Sequence, residues 1–420
     1  MTKETGNKKK RRIWKAIALC LIAGAAIVSG FFIYEYNSCN SKYYKESEKV
    51  INKVIAEQLN KNSNELTAED FKNLESLYLA VITIYNLKPL QKLKGLKELE
   101  MIRIAKSSQT SPRWLVKLRS ILRLSNQKES ESVNLTPLKK LKNLEKLTIK
   151  DTSIHDIKAI EKLKKLTFLD LLVLGVDDIT PLKKLTNLRI LALSYIEISD
   201  ISVLSNLKQL ECLVLNYYKF GNKVNIKPLA ELLNLKSLRI DGIKNPINIE
   251  PLGELDNIHE LFFSGTYISD ITPLAKLTNL QKLSLDGTQI SDVNSLGKLI
   301  NLQHLSLSNL PVKNIDALSK LTNLEYLDIS DTQVEDISIV SNFTKLKRIR
   351  LSYTKVSDLT PLIKLINLEK LDLKKIPVSD IHIFENLPKL EYLLISSNQI
   401  NEEQVAELQK KLPKLDIVRW

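Results

Sequence analysis

The sequence predicts an α/β solenoid, in which short parallel strands and their connecting turns repeat along one axis. From residue 74 onward, fourteen copies follow the 22-residue pattern L-x-x-L-x-L-x-x-x-x-[IV]-x-D-[ILV]-x-x-[LVF]-x-x-[LF]-x-x. Apolar residues keep the same places in each copy, whereas aromatic residues make up only 6% of the chain. A single copy cannot bury its own apolar side, so the copies have to stack to form a core. These features predict a leucine-rich repeat solenoid, a curved horseshoe with parallel β-strands on its concave face.

Each copy begins at an apolar residue, and most copies follow one another at a spacing of 22 residues. The first residues of the copies are Leu74, Leu96, Leu144, Leu166, Leu188, Leu210, Leu235, Ile258, Leu280, Leu302, Leu324, Leu346, Leu368 and Leu390. The segment L-x-x-L-x-L predicts a strand with its leucines inward, and the third, fifth, seventh and eighth positions outward. The later apolar positions predict a 3₁₀-like or extended segment on the convex side. The repeats should therefore fill residues 74–420.

The N-terminal segment has the composition of a membrane anchor. Residues 16–34 are 19 consecutive residues without a charge, about enough for a helix to cross a bilayer core of ~30 Å. Residues 1–15 hold seven basic side chains and one acidic side chain, so the positive-inside rule places this tail in the cytoplasm. We therefore expect a cytoplasmic tail at 1–15, a single transmembrane helix at 16–36, a linker at 37–47 and extracytoplasmic repeats. The alternative is a signal peptide, cleaved to release a secreted protein.

Both ends of the repeat region have helical patterns that predict caps. Residues 48–73 begin with apolar residues at helical spacing and continue with Thr67 and Asp70, which approximate a capping box for a second helix. Near the C-terminus, Asn401 precedes an amphipathic helix predicted over 402–412. Leu415 and Ile417 then predict a last partial strand.

The repeats and the N-terminal cap together resemble the internalin-type leucine-rich repeat proteins of bacteria. The resemblance rests on repeats such as LTPLKKLTNLRILALSYIEISDISVL and on the cap pattern, and it covers roughly residues 48–420. It implies a curved solenoid whose concave face binds a protein, often on a host cell. The ninth repeat position, often Asn in that family, is Asn here only at Asn398 and is Thr in five copies. The threonines are Thr152, Thr266, Thr288, Thr332 and Thr354.

The outward strand positions of repeats four to eight are unusually apolar. An exposed apolar area of a few hundred Å² commonly marks an interface, and aromatic side chains are frequent anchors there. We therefore predict a protein-binding patch on the concave face, with partner binding favoured over a second reading in which residues 217–225 fold over it. The predicted patch residues are Phe168, Leu172, Val173, Ile190, Tyr195, Val214, Tyr217 and Phe262.

A recurring aspartate at the thirteenth repeat position has two interpretations. The eight residues are Asp156, Asp178, Asp200, Asp270, Asp292, Asp336, Asp358 and Asp380. A ladder of carboxylates could bind Ca²⁺. We favour a role in the turn, because an aspartate before a bend accepts hydrogen bonds from backbone N–H groups.

No catalytic, metal-binding or cofactor-binding motif emerges from the chain. His155, His259, His304 and His382 are scattered, and Cys20, Cys39 and Cys212 lack the spacing of a zinc site. We expect no enzyme activity, no cofactor, no metal, no small-molecule substrate and no nucleic acid partner. The protein partner remains unidentified, and the alternative function is an intracellular scaffold of the phosphatase-regulator type.

The net charge of +14 adds a further alternative, an anionic polymer bound to lysines on the turns after the convex segments. We favour a solvated basic flank, because no aromatic residues alternate with these lysines. The lysines are Lys139, Lys140, Lys142, Lys183, Lys184 and Lys276.

The coil from Leu96 carries an insertion at 105–132, which makes that repeat 48 residues long. Within it, Trp114, Leu118 and Ile121 share one face of a basic amphipathic helix. We expect this face to pack onto the solenoid, with contact to a lipid surface as the alternative.

Overall fold

A computed structural model of the chain describes residues 45–420, except 85, 107–131, 196–197, 199 and 217–223. Within these ranges, fifteen parallel strands form one sheet, in which each repeat pairs with the next repeat along the chain. The strands are β1 (Ser76–Ala80), β2 (Thr83–Ile84), β3 (Glu98–Ile102), β4 (Ala105–Lys106), β5 (Lys146–Ser153), β6 (Phe168–Leu174), β7 (Ile190–Ser194), β8 (Cys212–Asn216), β9 (Ser237–Asp241), β10 (Glu260–Phe262), β11 (Lys282–Ser284), β12 (His304–Ser306), β13 (Tyr326–Asp328), β14 (Arg348–Arg350), β15 (Lys370–Leu373), β16 (Tyr392–Ile395) and β17 (Asp416–Arg419). Strands β2 and β4 form a separate pair. The predicted leucine-rich repeat solenoid is confirmed.

The core is a stack of inward leucines and isoleucines that repeats from coil to coil. Leu305, Leu327 and Ile349, for example, pair in register on three successive strands, and all three are fully buried. Their neighbours along each strand point to the opposite, concave side, because side chains alternate across a strand. The fixed spacing of apolar residues thus aligns the core and the concave surface at the same time.

Convex segments of the coils form 3₁₀ turns, as the later apolar positions predict. They cover Lys88–Lys92, Thr136–Lys140, Lys158–Lys162, Thr180–Lys184, Ser202–Asn206, Lys227–Glu231, Glu250–Glu254, Thr272–Lys276, Asn294–Lys298, Asp316–Lys320, Ser338–Asn342, Thr360–Lys364 and Ile381–Asn386. All eight thirteenth-position aspartates accept a hydrogen bond from the N–H two residues later, at 2.6–2.9 Å. The predicted role of these carboxylates in the turn is confirmed.

Four of the five ninth-position threonines are buried, and each of the five hydroxyls donates to a nearby backbone carbonyl. Thr288 and Thr332, for example, donate to the carbonyl three residues earlier at 2.7 and 2.6 Å. Just before these threonines the backbone becomes left-handed, at Gly287 (φ +65°) and Asp331 (φ +54°). These coils therefore leave their strands by a tight turn that places a small polar side chain inside.

Helices pack at both ends of the solenoid. The first helix, α1, covers residues 45–58 and buries Ile51 and Ile55, and Gln58 donates to the carbonyl oxygen of Ser76 on β1 at 2.8 Å. The second, α2 (Ala68–Asn73), begins after Thr67, which forms the predicted capping box with Asp70.

At the other end, α3 (Glu402–Lys411) begins after the predicted cap residue Asn401 and buries Leu408. Strand β17 then pairs with β16.

Several predictions concern residues outside the described ranges. They are the cytoplasmic tail at 1–15, the transmembrane helix at 16–36, most of the linker at 37–47 and the packed helix of the insertion at 105–132. In the part of the chain that is described, no helix has the length and apolar character needed to cross a membrane.

Candidate functional site

The predicted patch lies on strands β6, β7 and β8, whose outward residues form rows across the concave face. Phe168, Ile190 and Cys212 stand in one row, and Ala192 and Val214 stand side by side in the next. Neighbouring strands are ~4.8 Å apart, so each row is close enough for adjacent side chains to touch. The parallel register therefore gathers residues from separate repeats into one continuous apolar surface.

Six of the predicted patch residues reach this surface. Ile190 is 38% exposed and Tyr195 is 43% exposed. The other four, Phe168, Leu172, Val214 and Phe262, are partly exposed. Tyr217 lies outside the described residues, as does most of the segment 217–225 that could cover the patch.

Val173 was predicted to face outward, and this prediction is wrong. Its side chain is only 1% exposed and belongs to the core. In β5 the eighth position, Asp151, is left-handed (φ +48°) and bulges out of the ladder, so that Thr152 turns inward. Strand β6 has no such bulge, because the left-handed residue of its coil is Gly175 (φ +93°), just after the strand and two repeat positions later. Val173 consequently pairs with Thr152 and takes the inward place.

Polar contacts limit the charge at the patch and mark its far edge. Asp170, between Phe168 and Leu172 on β6, pairs with Lys150 at 2.8 Å. On the C-terminal side, the Arg239 guanidinium lies 4.3 Å from the centroid of the Phe262 ring. Phe262 is therefore a border residue whose ring already has a cationic neighbour.

Cys212 lies within the patch, and it behaves as a packing residue. Burial raises the pKa of its thiol, so the reactive thiolate form is disfavoured at neutral pH. A small, unreactive thiol of this kind fills space in the sheet.

Strands β13–β16 carry a second concave surface, which lies outside the predicted patch. It combines the cations Arg348, Arg350 and Lys370 with Tyr326 and Tyr392. The sequence signal was present, because Arg348 and Lys370 occupy the third position of successive repeats and hence adjoin each other on neighbouring strands.

One group of metal-ligating side chains meets near the C-terminal cap, a grouping that the sequence spacing did not reveal. His382, Glu385 and Glu407 bring their ligand atoms within 4.8 Å of one another. The Lys411 ammonium lies 2.6 Å from Glu385 and 3.8 Å from Glu407, and His382 bonds Glu385 at 2.7 Å. These contacts give the carboxylates partners within the protein and tie α3 to the last convex turn.

The lysines proposed as an alternative anion site all lie exposed on the turns of the convex side. Lys276, for example, pairs with Glu254 of the preceding coil at 3.0 Å. This is the solvated basic flank that the sequence favoured.

Comparisons with known proteins agree with this architecture. A family model described as leucine-rich repeats (two copies) matches residues 256–298 and 300–342. No curated protein matches the chain in sequence.

Among solved structures, an internalin of Listeria monocytogenes is 26% identical, with a TM-score of 0.67, and the match covers 83% of this chain and 96% of that one. A leucine-rich repeat protein of Leptospira interrogans is 22% identical, with a TM-score of 0.65 and coverage of 84% and 97%. The ectodomain of an Arabidopsis thaliana membrane receptor kinase has the same fold at 18% identity, with a TM-score of 0.52 and coverage of 84% and 48%.

The repeat pattern, the sheet of fifteen parallel strands and the internalin match all support one assignment. This fold is a scaffold for protein interaction. The chain is an internalin-type leucine-rich repeat protein.

Proposed function

We propose that the protein recognises another protein through the apolar patch of its concave face. The observation that carries the proposal is the exposure of Ile190, at the start of β7, and Tyr195, just after its end, next to the partly exposed Phe168 and Leu172 of β6. A strand surface that only has to be solvated needs no such apolar cluster. Contiguous apolar area of this kind commonly marks an interface.

Electrostatic and chemical features of the patch fit a protein partner. Asp170 is neutralised by Lys150, and the Cys212 thiol is disfavoured as a thiolate. The patch therefore offers shape and apolar contact, with no reactive group, and we propose a binding role without catalysis. The Arabidopsis receptor ectodomain, which has the same fold, was solved in complex with the Casparian strip integrity factor 2.

Site-specific crosslinking tests the proposal with a matched control. A photo-crosslinking phenylalanine derivative replaces Ile190 in the full-length chain, and in a second variant it replaces Ile363. Both isoleucines are 38% exposed, but Ile190 lies on the concave strand β7 and Ile363 on a convex 3₁₀ turn. We expect a discrete adduct from position 190 and none from position 363. Equal adducts from both positions, or an adduct from 363 alone, would contradict the concave assignment.

For the cellular location, we propose that residues 16–36 anchor the chain in the membrane and that the repeats lie outside the cytoplasm. The support is the uncharged stretch of 19 residues behind a strongly basic tail. Protease added to intact cells should digest the repeats. In untreated cells, the whole chain should be found in the membrane fraction. Release into the medium would favour the cleaved, secreted alternative. Protection from protease would favour the intracellular scaffold.

A further inference from the structure

We propose that strands β13–β16 form a second binding site, specific for a carboxylate group on a protein segment. The site is separate from the apolar patch, because β10, which carries the border residue Phe262, and β14 are four strands apart in the sheet, roughly 19 Å at ~4.8 Å per strand. It therefore does not depend on the function proposed for that patch.

The key observation is a pair of cations that adjoin each other without an acidic partner. Arg348 and Lys370 are register neighbours on β14 and β15, and both side chains are exposed. Like charges directly opposite each other on neighbouring strands destabilise a sheet. Among the residues that the structure describes, neither cation forms an ion pair with a carboxylate.

Other cations in the same row of the sheet pair with acidic residues of the preceding strand. Lys146 pairs with Glu98 of the preceding strand at 2.6 Å, and Lys282 pairs with Glu260 at 2.8 Å. Each of these lysines thus has an acid in the adjacent coil. The Arg348–Lys370 pair departs from this pattern and leaves two cations to face an external anion.

The side chains around Arg348 and Lys370 form a depression that can hold a ligand. A depression of about 330 Å³ is lined by Arg348, Arg350, Lys370, Asp372, Tyr392 and Leu394. On the other side, the Arg348 guanidinium lies 5.7 Å from the centroid of the Tyr326 ring. The cations are therefore flanked by two aromatic rings and an aliphatic side chain, which suits an anionic group attached to an apolar body.

Neighbouring acids restrict the charge of the ligand. Arg350 is held between Asp328 at 2.8 Å and Asp372 at 3.3 Å, so its own charge is already balanced. Glu369 lines the adjoining depression with Arg348 and Lys370. A phosphate dianion would face these carboxylates, whereas a carboxylate with one negative charge needs only the two unpaired cations. Arginine also holds a carboxylate in a bidentate manner.

The source of the carboxylate is either an acidic side chain or the C-terminus of a peptide. Binding of four fluorescein-labelled peptides to the full-length chain, measured by anisotropy, separates the sources. One peptide has a leucine beside a single glutamate and an amidated end; the second has glutamine in place of glutamate and a free C-terminal leucine. The third has glutamine and an amidated end, and the fourth has phosphoserine in place of glutamate. We expect the first or second peptide to bind about tenfold or more tightly than the neutral third peptide.

Substitutions then place the binding on this surface. Lys370→Glu should lower the affinity for the carboxylate peptide by about tenfold or more. It should keep or raise the thermal unfolding midpoint, because two like charges no longer adjoin each other. Lys364→Glu makes the same charge change on the convex side of the coil that carries Arg348 and should leave binding unchanged. Lys370→Gln serves as a milder second variant and should weaken binding without altering the fold.

Three results would overturn the proposal. The neutral peptide could bind as tightly as the carboxylate peptides, or Lys364→Glu could weaken binding as much as Lys370→Glu. Tighter binding of the phosphoserine peptide than of the glutamate peptide would identify a phosphate site instead.

Discussion

Gly175 shows how one residue fixes the path of a coil. Its φ of +93° lies in the left-handed region, and a Cβ there would sit 2.4 Å from His155 Nδ1 of the preceding coil. Gly265 is also left-handed (φ +64°), but a Cβ there would meet no atom within 4 Å. Gly265→Ala should therefore cost only the backbone strain, about 1–2 kcal/mol, and Gly175→Ala should cost clearly more. Urea denaturation gives both values; equal losses would show that the contact with His155 is unimportant.

At the scale of the element, the thirteenth-position carboxylate stabilises the start of the 3₁₀ turn. Asp178 accepts from the Thr180 N–H at 2.8 Å, and Asn134 does the same for Thr136 at 2.8 Å in another coil. Asp178→Ala should cost roughly 1 kcal/mol, the net contribution of one hydrogen bond, while Asp178→Asn should be nearly neutral. The thermal unfolding midpoints of the wild-type chain and of both variants, measured with and without a chelator, check these expectations. A large drop of the midpoint in the chelator would support the calcium ladder instead.

The capping helix α2 should be sensitive to acid. The Lys61 ammonium and the Thr67 hydroxyl and N–H groups lower the pKa of Asp70 to about 2, from an ordinary value of 3.8. Because the folded-state pKa is lowered, the stabilisation is fully present above pH ~4 and is lost as the pH falls toward ~2. The unfolding midpoints of the wild-type chain and of Asp70→Asn should differ at pH 7 and converge near pH 2. A difference that stays constant across this range would exclude the carboxylate as its source.

For the whole molecule, the sequence predicts the periodic features well and the exceptions poorly. Leucines at fixed spacing predict the strands, and the recurring aspartates predict the turns, because every coil repeats the same local physics. Val173 was misassigned because it depends on a bulge present in β5 and absent from β6, a difference between two particular coils. The Arg348–Lys370 contact likewise depends on which repeats adjoin, and reading the repeats in register reveals it.

The central claim is that the apolar patch serves binding and not stability, and one double variant tests it most directly. Phe168→Ser with Tyr195→Ser changes two outward residues on β6 and at the end of β7, and Leu171→Ala serves as the inward control on β6. Thermal unfolding of the full-length chain and recovery of the adduct from crosslinker at position 190 are measured side by side. We expect the double variant to keep nearly the wild-type midpoint and lose the adduct, while Leu171→Ala should cost about 2–5 kcal/mol. A large loss of stability in the double variant, or an undiminished adduct, would contradict the account.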